Sequence, residues 1–136
     1  MKMIFNADDV KRFVLSEEYE SQLIMDPDIV SEPSVQLNRG FLKPGAELPP
    51  AFHEAPEIYY ILSGVGSLEM DGEWYPVRSG TVVFIPTGIY HRLRNESETE
   101  DLSLLTVWAD GEYNTVKAKR KEAWGTTFIL EKPEEK

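Results

Sequence analysis

The chain contains no cysteine, which excludes disulfides, thiolate nucleophiles and every Cys-ligated zinc or iron–sulfur site. Any metal must be held by nitrogen and oxygen. Histidine is scarce too, with two in 136 residues. Positive charge is in short supply: 14 Lys and Arg stand against 24 Asp and Glu, a formal net charge of −10. Such a field repels phosphate backbones and anionic membrane surfaces, so neither nucleic acid nor a membrane is an expected partner. No apolar run approaches transmembrane length, and the segment from Met1 to Asp9 turns acidic before any apolar stretch develops. No signal peptide is predicted, and the expected location is cytoplasmic. There is no internal repeat and no low-complexity segment.

What is present describes a folded domain. A hydrophobic fraction of 41%, an aromatic fraction of 11%, and nine each of Gly and Pro suit one domain with a real core and many turns. From Ser34 onward the pattern is one of short strands between turn signals. Predicted strands run over residues 34–42, 47–53, 58–62, 66–70, 73–77, 81–85, 90–95 and 102–108. Asp71-Gly72 marks a two-residue hairpin. In the Pro86-Thr87-Gly88 turn, proline is placed second and glycine fourth. The nearly all-apolar Thr81 to Ile85 run predicts a strand buried on both faces. So many closely spaced strands imply an all-β sandwich or barrel over residues 34–108. Residues 1–33 are read as an N-terminal extension packing on it, with a helical turn near Asn6 or Asp8, and residues 109–136 as a C-terminal extension. Trp124 to Leu130 has strand character, and its Trp124, Phe128 and Leu130 need apolar cover from the barrel or a second subunit. Tyr90, Phe52, Phe84 and Trp108 suit core positions.

Both histidines fall among these strands, with Glu57 four residues after His53. On a helix that spacing would put His53 and Glu57 on one face, but Pro56 and the lack of a 3.6-residue apolar period argue against a helix. On a straight strand four residues span about 13 Å, too far for a single ion with ligands at roughly 2 Å. The chain must therefore bend at Glu54-Ala55-Pro56. Alternation then puts Glu57, Tyr59 and Ile61 on one face of a strand. It likewise groups His91, Leu93 and Asn95, with Arg92 and Arg94 facing outward. Asn95 is expected to brace a turn. His53, Glu57 and His91 form the candidate metal site, Tyr59 and Glu54 the candidate acid, base or substrate contacts.

Gly45, His53, Glu57 and Gly64 resemble the first motif of the cupin family, G-x5-H-x-H-x3-E-x6-G. Gly80, Pro86, Gly88, His91 and Asn95 match the second, G-x5-P-x-G-x2-H-x3-N, at every named position. The resemblance implies a double-stranded β-helix, or jelly-roll, barrel with a metal in its mouth bound by three histidines and a glutamate, and often a homodimer. His53, Glu57 and His91 are the ligands carried over. The family's first histidine is Ala51 here, which either opens a coordination position or marks a barrel whose metal chemistry has been lost. Two imidazoles and a carboxylate suit Fe, Mn, Ni, Co or Zn as a divalent ion. The expected function is a metal-dependent small-molecule enzyme, either an oxygenase or a lyase, isomerase or cyclase using the ion as a Lewis acid. The rival is a non-catalytic module binding a sugar or carboxylate, and a storage or scaffold role finds no repeated domains to support it.

Overall fold

A computed structural model describes residues 4–30, 35–48, 56–109 and 115–132 of the chain. Among these, the strands are β1 (Phe13–Val14), β2 (Tyr19–Met25), β3 (Val35–Leu42), β4 (Glu57–Ser63), β5 (Val65–Met70), β6 (Glu73–Arg78), β7 (Val82–Ile85), β8 (His91–Asn95) and β9 (Leu102–Ala109). A helical turn α1 (Pro27–Val30) and a helix α2 (Thr115–Trp124) complete the set. The strands form one six-stranded sheet in the order β1-β2-β3-β9-β4-β7 and one three-stranded sheet in the order β6-β5-β8. Every pairing is antiparallel. This is an all-β arrangement of two antiparallel sheets, as the strand spacing predicts, and it agrees with the jelly roll that the family resemblance implies.

The sheets face each other across an apolar core drawn from both. Leu42, Ile61, Ile85, Leu102 and Leu104 come from the large sheet and Leu68, Val77 and Leu93 from the small one. Two glycines let the chain cross between sheets. Gly64 has φ 95°, and a Cβ there would stand 2.7 Å from the Asp101 carbonyl oxygen. A Cβ at Gly66 would collide with the Arg94 carbonyl. Neither backbone atom can yield, so both positions exclude a side chain. Asp71 and Gly72, with φ of 53° and 87°, form the hairpin between β5 and β6, where Met70 pairs with Glu73.

Several expectations are corrected. β7 is not buried on both faces: it lies at the edge of the large sheet, and Val82 and Phe84 are 63% and 57% exposed. Their run is apolar, but no further element covers their outer side within the described residues. Tyr90 is likewise exposed rather than core. Strand character at Trp124 to Leu130 gives way to helix end and bends. Trp124 closes α2, and Gly125, at φ 77°, donates its N–H to the Lys121 carbonyl as a left-handed cap. The apolar cover for this segment comes from the chain's own N-terminal residues: Trp124 packs edge-on against Phe13, Phe128 against Phe5, and Leu130 bridges Val10. It therefore gives no reason to invoke a second subunit.

The N-terminal residues do more than pack on the barrel. β2 pairs with β3 from Tyr19↔Leu42 to Met25↔Leu37 and so becomes part of its wall. The helical turn near the start is a 3-10 turn over Ala7–Asp9, capped by the Asn6 side chain accepting from the Asp8 N–H. The Gln22 side chain fastens this turn to the outer face of β2 by donating to the Ala7 and Val10 carbonyls. Among the described residues no helix is long and apolar enough to cross a membrane.

Candidate functional site

β4 alternates as the sequence predicts. Glu57, Tyr59 and Ile61 are buried while Ile58 and Tyr60 are exposed. In β8, His91, Leu93 and Asn95 are buried and Arg92 and Arg94 lie toward solvent. The two sheets thus deliver Glu57 and His91 to each other across the interior, with His91 Nε2 3.5 Å from Glu57 Oε1. Both are nearly fully buried.

The turn before β8 orients the imidazole. Ile89 N–H donates to the Pro86 carbonyl, and Gly88 has φ 76°. Proline is therefore first in this turn and glycine third, the position that demands positive φ, rather than second and fourth as predicted. The Ile89 carbonyl then faces His91 Nδ1 at 3.0 Å. A carbonyl only accepts, so Nδ1 carries the proton, and in the neutral ring Nε2 presents a lone pair toward Glu57. Burial opposes charging of His91, but hydrogen bonding to Glu57 and the Ile89 carbonyl, together with the Glu57 charge, raises its pKa above the ordinary value.

Tyr59 stands on the same face as Glu57, with its ring edge-on to His91 at 6.0 Å between centroids. Burial first, then the neighbouring Glu57 charge, pushes its phenol well above 10, and the phenol hydrogen-bonds Glu57. It is a protonated donor throughout the neutral range. Tyr19, on β2, enters the same environment: burial and then Glu57 push its pKa up to about 12. Gly40 explains how its ring fits, because any Cβ there would overlap the Tyr19 phenol. The mid-strand glycine in Asn38-Arg39-Gly40-Phe41 was the sequence signal for that close approach; Tyr19 itself lay in a stretch read as an extension.

Asn95 braces the turn, as expected. Its Nδ2 lies 3.0, 3.1 and 2.8 Å from the carbonyls of Leu42, Lys43 and Glu100, and its Oδ1 accepts from the Ser97 N–H. Glu47 is committed elsewhere: it accepts from Arg92 Nη1 at 2.8 Å and Arg94 Nε at 2.9 Å on the outside of the small sheet. His53, Glu54, Ala51 and Phe52 lie outside the described residues.

Among the described residues no group of three or more His, Cys, Asp and Glu is placed to hold a metal. Glu57 and His91 nevertheless fit as two ligands of one ion. Donors at about 2.0–2.2 Å from a metal, at angles between a right angle and tetrahedral, stand roughly 3 to 3.5 Å apart. The Nδ1 contact to a backbone carbonyl is the outer support that metal-ligating histidines characteristically have.

Residues 39–108 match the protein family described as "Cupin domain". A glucose-6-phosphate isomerase of Thermococcus kodakarensis is 27% identical over 87% of this chain and 76% of its own length. An oxalate-binding protein of Thermotoga maritima is 39% identical over 48% of this chain and 54% of its own length. Among solved structures, a predicted oxalate decarboxylase from Thermotoga maritima superposes with a TM-score of 0.72 at 25% identity, covering 80% of this chain and 100% of that one. A polyketide cyclase from Streptomyces resistomycificus superposes with a TM-score of 0.72 at 19% identity, over 93% and 96% of the two chains.

Proposed function

This chain belongs to the cupin family, and from that premise we propose that it is a metal-dependent enzyme acting on a small oxygenated molecule inside the barrel. One observation carries the reading. His91 Nε2 and the carboxylate of Glu57 face each other at 3.5 Å in a buried setting, and a ring nitrogen and a carboxylate so placed require either a shared proton or a cation between them. His53, one bend before Glu57 in sequence, is the third ligand in this proposal, and the ion is Fe, Mn, Ni, Co or Zn. When bound, such an ion supplies Lewis acidity toward a carbonyl or carboxylate, or, for a redox-active metal, dioxygen chemistry.

The chain's own residues supply the rest. Tyr59, protonated and on the same face of β4 as Glu57, is the proposed hydrogen-bond donor to that carboxylate. The apolar floor beneath, Ile61, Leu93 and Leu104, excludes water and strengthens each polar contact above it. Glu54 is the proposed acid or base. The relatives range over an isomerase, an oxalate-binding protein and a cyclase, which supports small oxygenated ligands without selecting the reaction.

The test is to strip the purified protein and reload it with each of the five metals, measuring content by elemental analysis. Near-stoichiometric uptake of at least one metal, lost in His91→Ala, is expected; uptake no greater than in His91→Ala for every metal would sink the proposal. Ala51 favours a second reading, a non-catalytic barrel that binds a sugar or carboxylate. Ligand affinity that survives full chelation, with no turnover under any metal, would select it. The homodimer is proposed to form on the outer face of β4 and β7, where Ile58 pairs with Phe84 and Tyr60 with Val82 and all four are exposed. Light scattering should show twice the 15.5 kDa chain mass and a shift to monomer in Phe84→Glu; a monomer at every micromolar concentration would refute it.

A further inference from the structure

Arg120 is the largest fully buried side chain among the described residues, at 1% exposure. It projects from α2 onto the inner face of the large sheet. Its Nη2 donates to Ser21 Oγ at 2.7 Å and lies 3.5 Å from Asn38 Oδ1. Register puts both on the wall that carries the metal-site candidates. Ser21 pairs with Gly40, Asn38 with Thr106, and Thr106 with Tyr59, and paired residues share a face. The charge of Arg120 is felt by Tyr19, which in turn feels Glu57.

The guanidinium is under-satisfied. Its Nε and Nη1 meet no hydrogen-bond acceptor among the described residues, leaving three of a guanidinium's five N–H groups unmatched. Asn38 Nδ2, beside it, is likewise an unmatched buried donor. Asp26 is fully buried and its charge reaches Arg120, but it provides no acceptor to Nε or Nη1. Burial lowers the pKa of Arg120 only to about 10, so the group is cationic at neutral pH. The Ser21 hydrogen bond and the Phe13 ring, 6.0 Å from the guanidinium carbon, suffice to anchor α2, and neither gives Nε or Nη1 an acceptor. Buried donors left unmatched cost about 1–3 kcal/mol each, and a charged group costs more.

We propose that Arg120, with Asn38, forms a subsite on the inner barrel wall for the carboxylate of a small organic acid. Planar, charged donor groups match a carboxylate's two oxygens, and the acid's other end is then directed along the wall toward Tyr59, Glu57 and His91. This names the substrate class for the reading above and rests on it for where the rest of the ligand lies. The anion contact itself does not depend on metal.

The test is calorimetric titration of malonate into the full-length protein, before and after chelation, with malonamide as the neutral isostere and inorganic phosphate as the competing anion. Wild type should bind malonate with and without metal, and bind malonamide and phosphate at least about tenfold more weakly. Arg120→Met should lose about tenfold to a hundredfold in malonate affinity, the range of one or two charge-assisted hydrogen bonds. Arg120→Lys, which keeps the charge and the helix anchor, should fall between, as should Asn38→Ala if Arg120→Met does not fold. Wild-type affinity for malonate in the folded arginine variants, or equal affinity for malonate and malonamide, would overturn the subsite, and phosphate binding as tight as malonate would overturn the carboxylate assignment. Failure of metal uptake alone would refute the metal reading while leaving this result readable.

Discussion

The two ends of the barrel interior are built from the same strands yet obey different rules. At the floor, β3, β9, β4 and β8 contribute Leu42, Leu102, Leu104, Ile61 and Leu93, each at 0–1% exposure. A few residues along the same strands and on the same faces stand Gln36, Asn38, Thr106, Glu57, Tyr59 and His91, also buried. The floor is a continuous apolar surface with no hydrogen-bonding obligations. The mouth holds a facing acid and imidazole, a buried arginine, and unmatched polar atoms on Gln36, Asn38 and Arg120. Stability is concentrated in one and polar potential in the other, the pattern expected where a site is held ready for a ligand.

The contrast is broken most severely from the floor. Leu104→Ala should lower the unfolding free energy by about 2–5 kcal/mol, the cost of lost burial plus a cavity. Its urea midpoint should fall without a change in slope. Metal uptake by the folded fraction should be unchanged. A loss under 1 kcal/mol would show that the floor is not the principal source of stability.

Asn95→Ala strikes the joint between the regions, leaving the Leu42, Lys43 and Glu100 carbonyls without their shared donor. The expected loss is about 1–3 kcal/mol, read from the same urea curves, together with weakened metal uptake because His91 lies on the same short strand. Glu57→Gln should do the reverse of Leu104→Ala. His91 then stays neutral and no charge is stranded, so stability should shift by less than about 1 kcal/mol while metal uptake collapses. A large stability loss in Glu57→Gln would erase the distinction between mouth and floor.

These regions were also unequally legible in sequence. The β4 and β8 faces followed from period-two alternation, because one face of each strand is apolar or motif-bearing and a slip of one residue would bury Arg92 or Arg94. Asp71-Gly72 fixed its hairpin for a local reason, the positive φ both residues adopt. β2 was missed because Tyr19-Glu-Ser-Gln-Leu-Ile-Met has buried polar residues on both faces: Ser21 faces the barrel interior and Gln22 holds the N-terminal turn. The alternation signal depends on one wet face, and β2 has none. β7 failed in the opposite sense, since an apolar run does not say whether the chain itself covers it. Arg120 was invisible for a related reason. In the charged run Lys117 to Glu122 it looks like any solvated residue, and only the fold turns it inward.

The smallest effect separates inner from outer polar groups. Outside the small sheet, Glu47 is held by Arg94 and Arg92, with both arginines stacked over Trp74 at 4.3 and 4.9 Å. The Arg94 hydrogen bond above all, opposed by some desolvation and helped by the Arg92 charge, lowers the Glu47 pKa below its ordinary 4.5. A carboxylate depressed in the folded state stabilises above its unfolded pKa and loses that contribution as pH falls through the folded value. Glu47→Gln should therefore melt slightly below wild type at neutral pH, and the two melting curves should converge as the pH drops under about 4. Added salt should shrink the neutral-pH gap, because these groups are partly exposed. A gap that persists unchanged into acid would mean that packing against Trp74, not charge, is what Glu47 supports, and the outer network would then be closer in kind to the apolar floor than to the mouth.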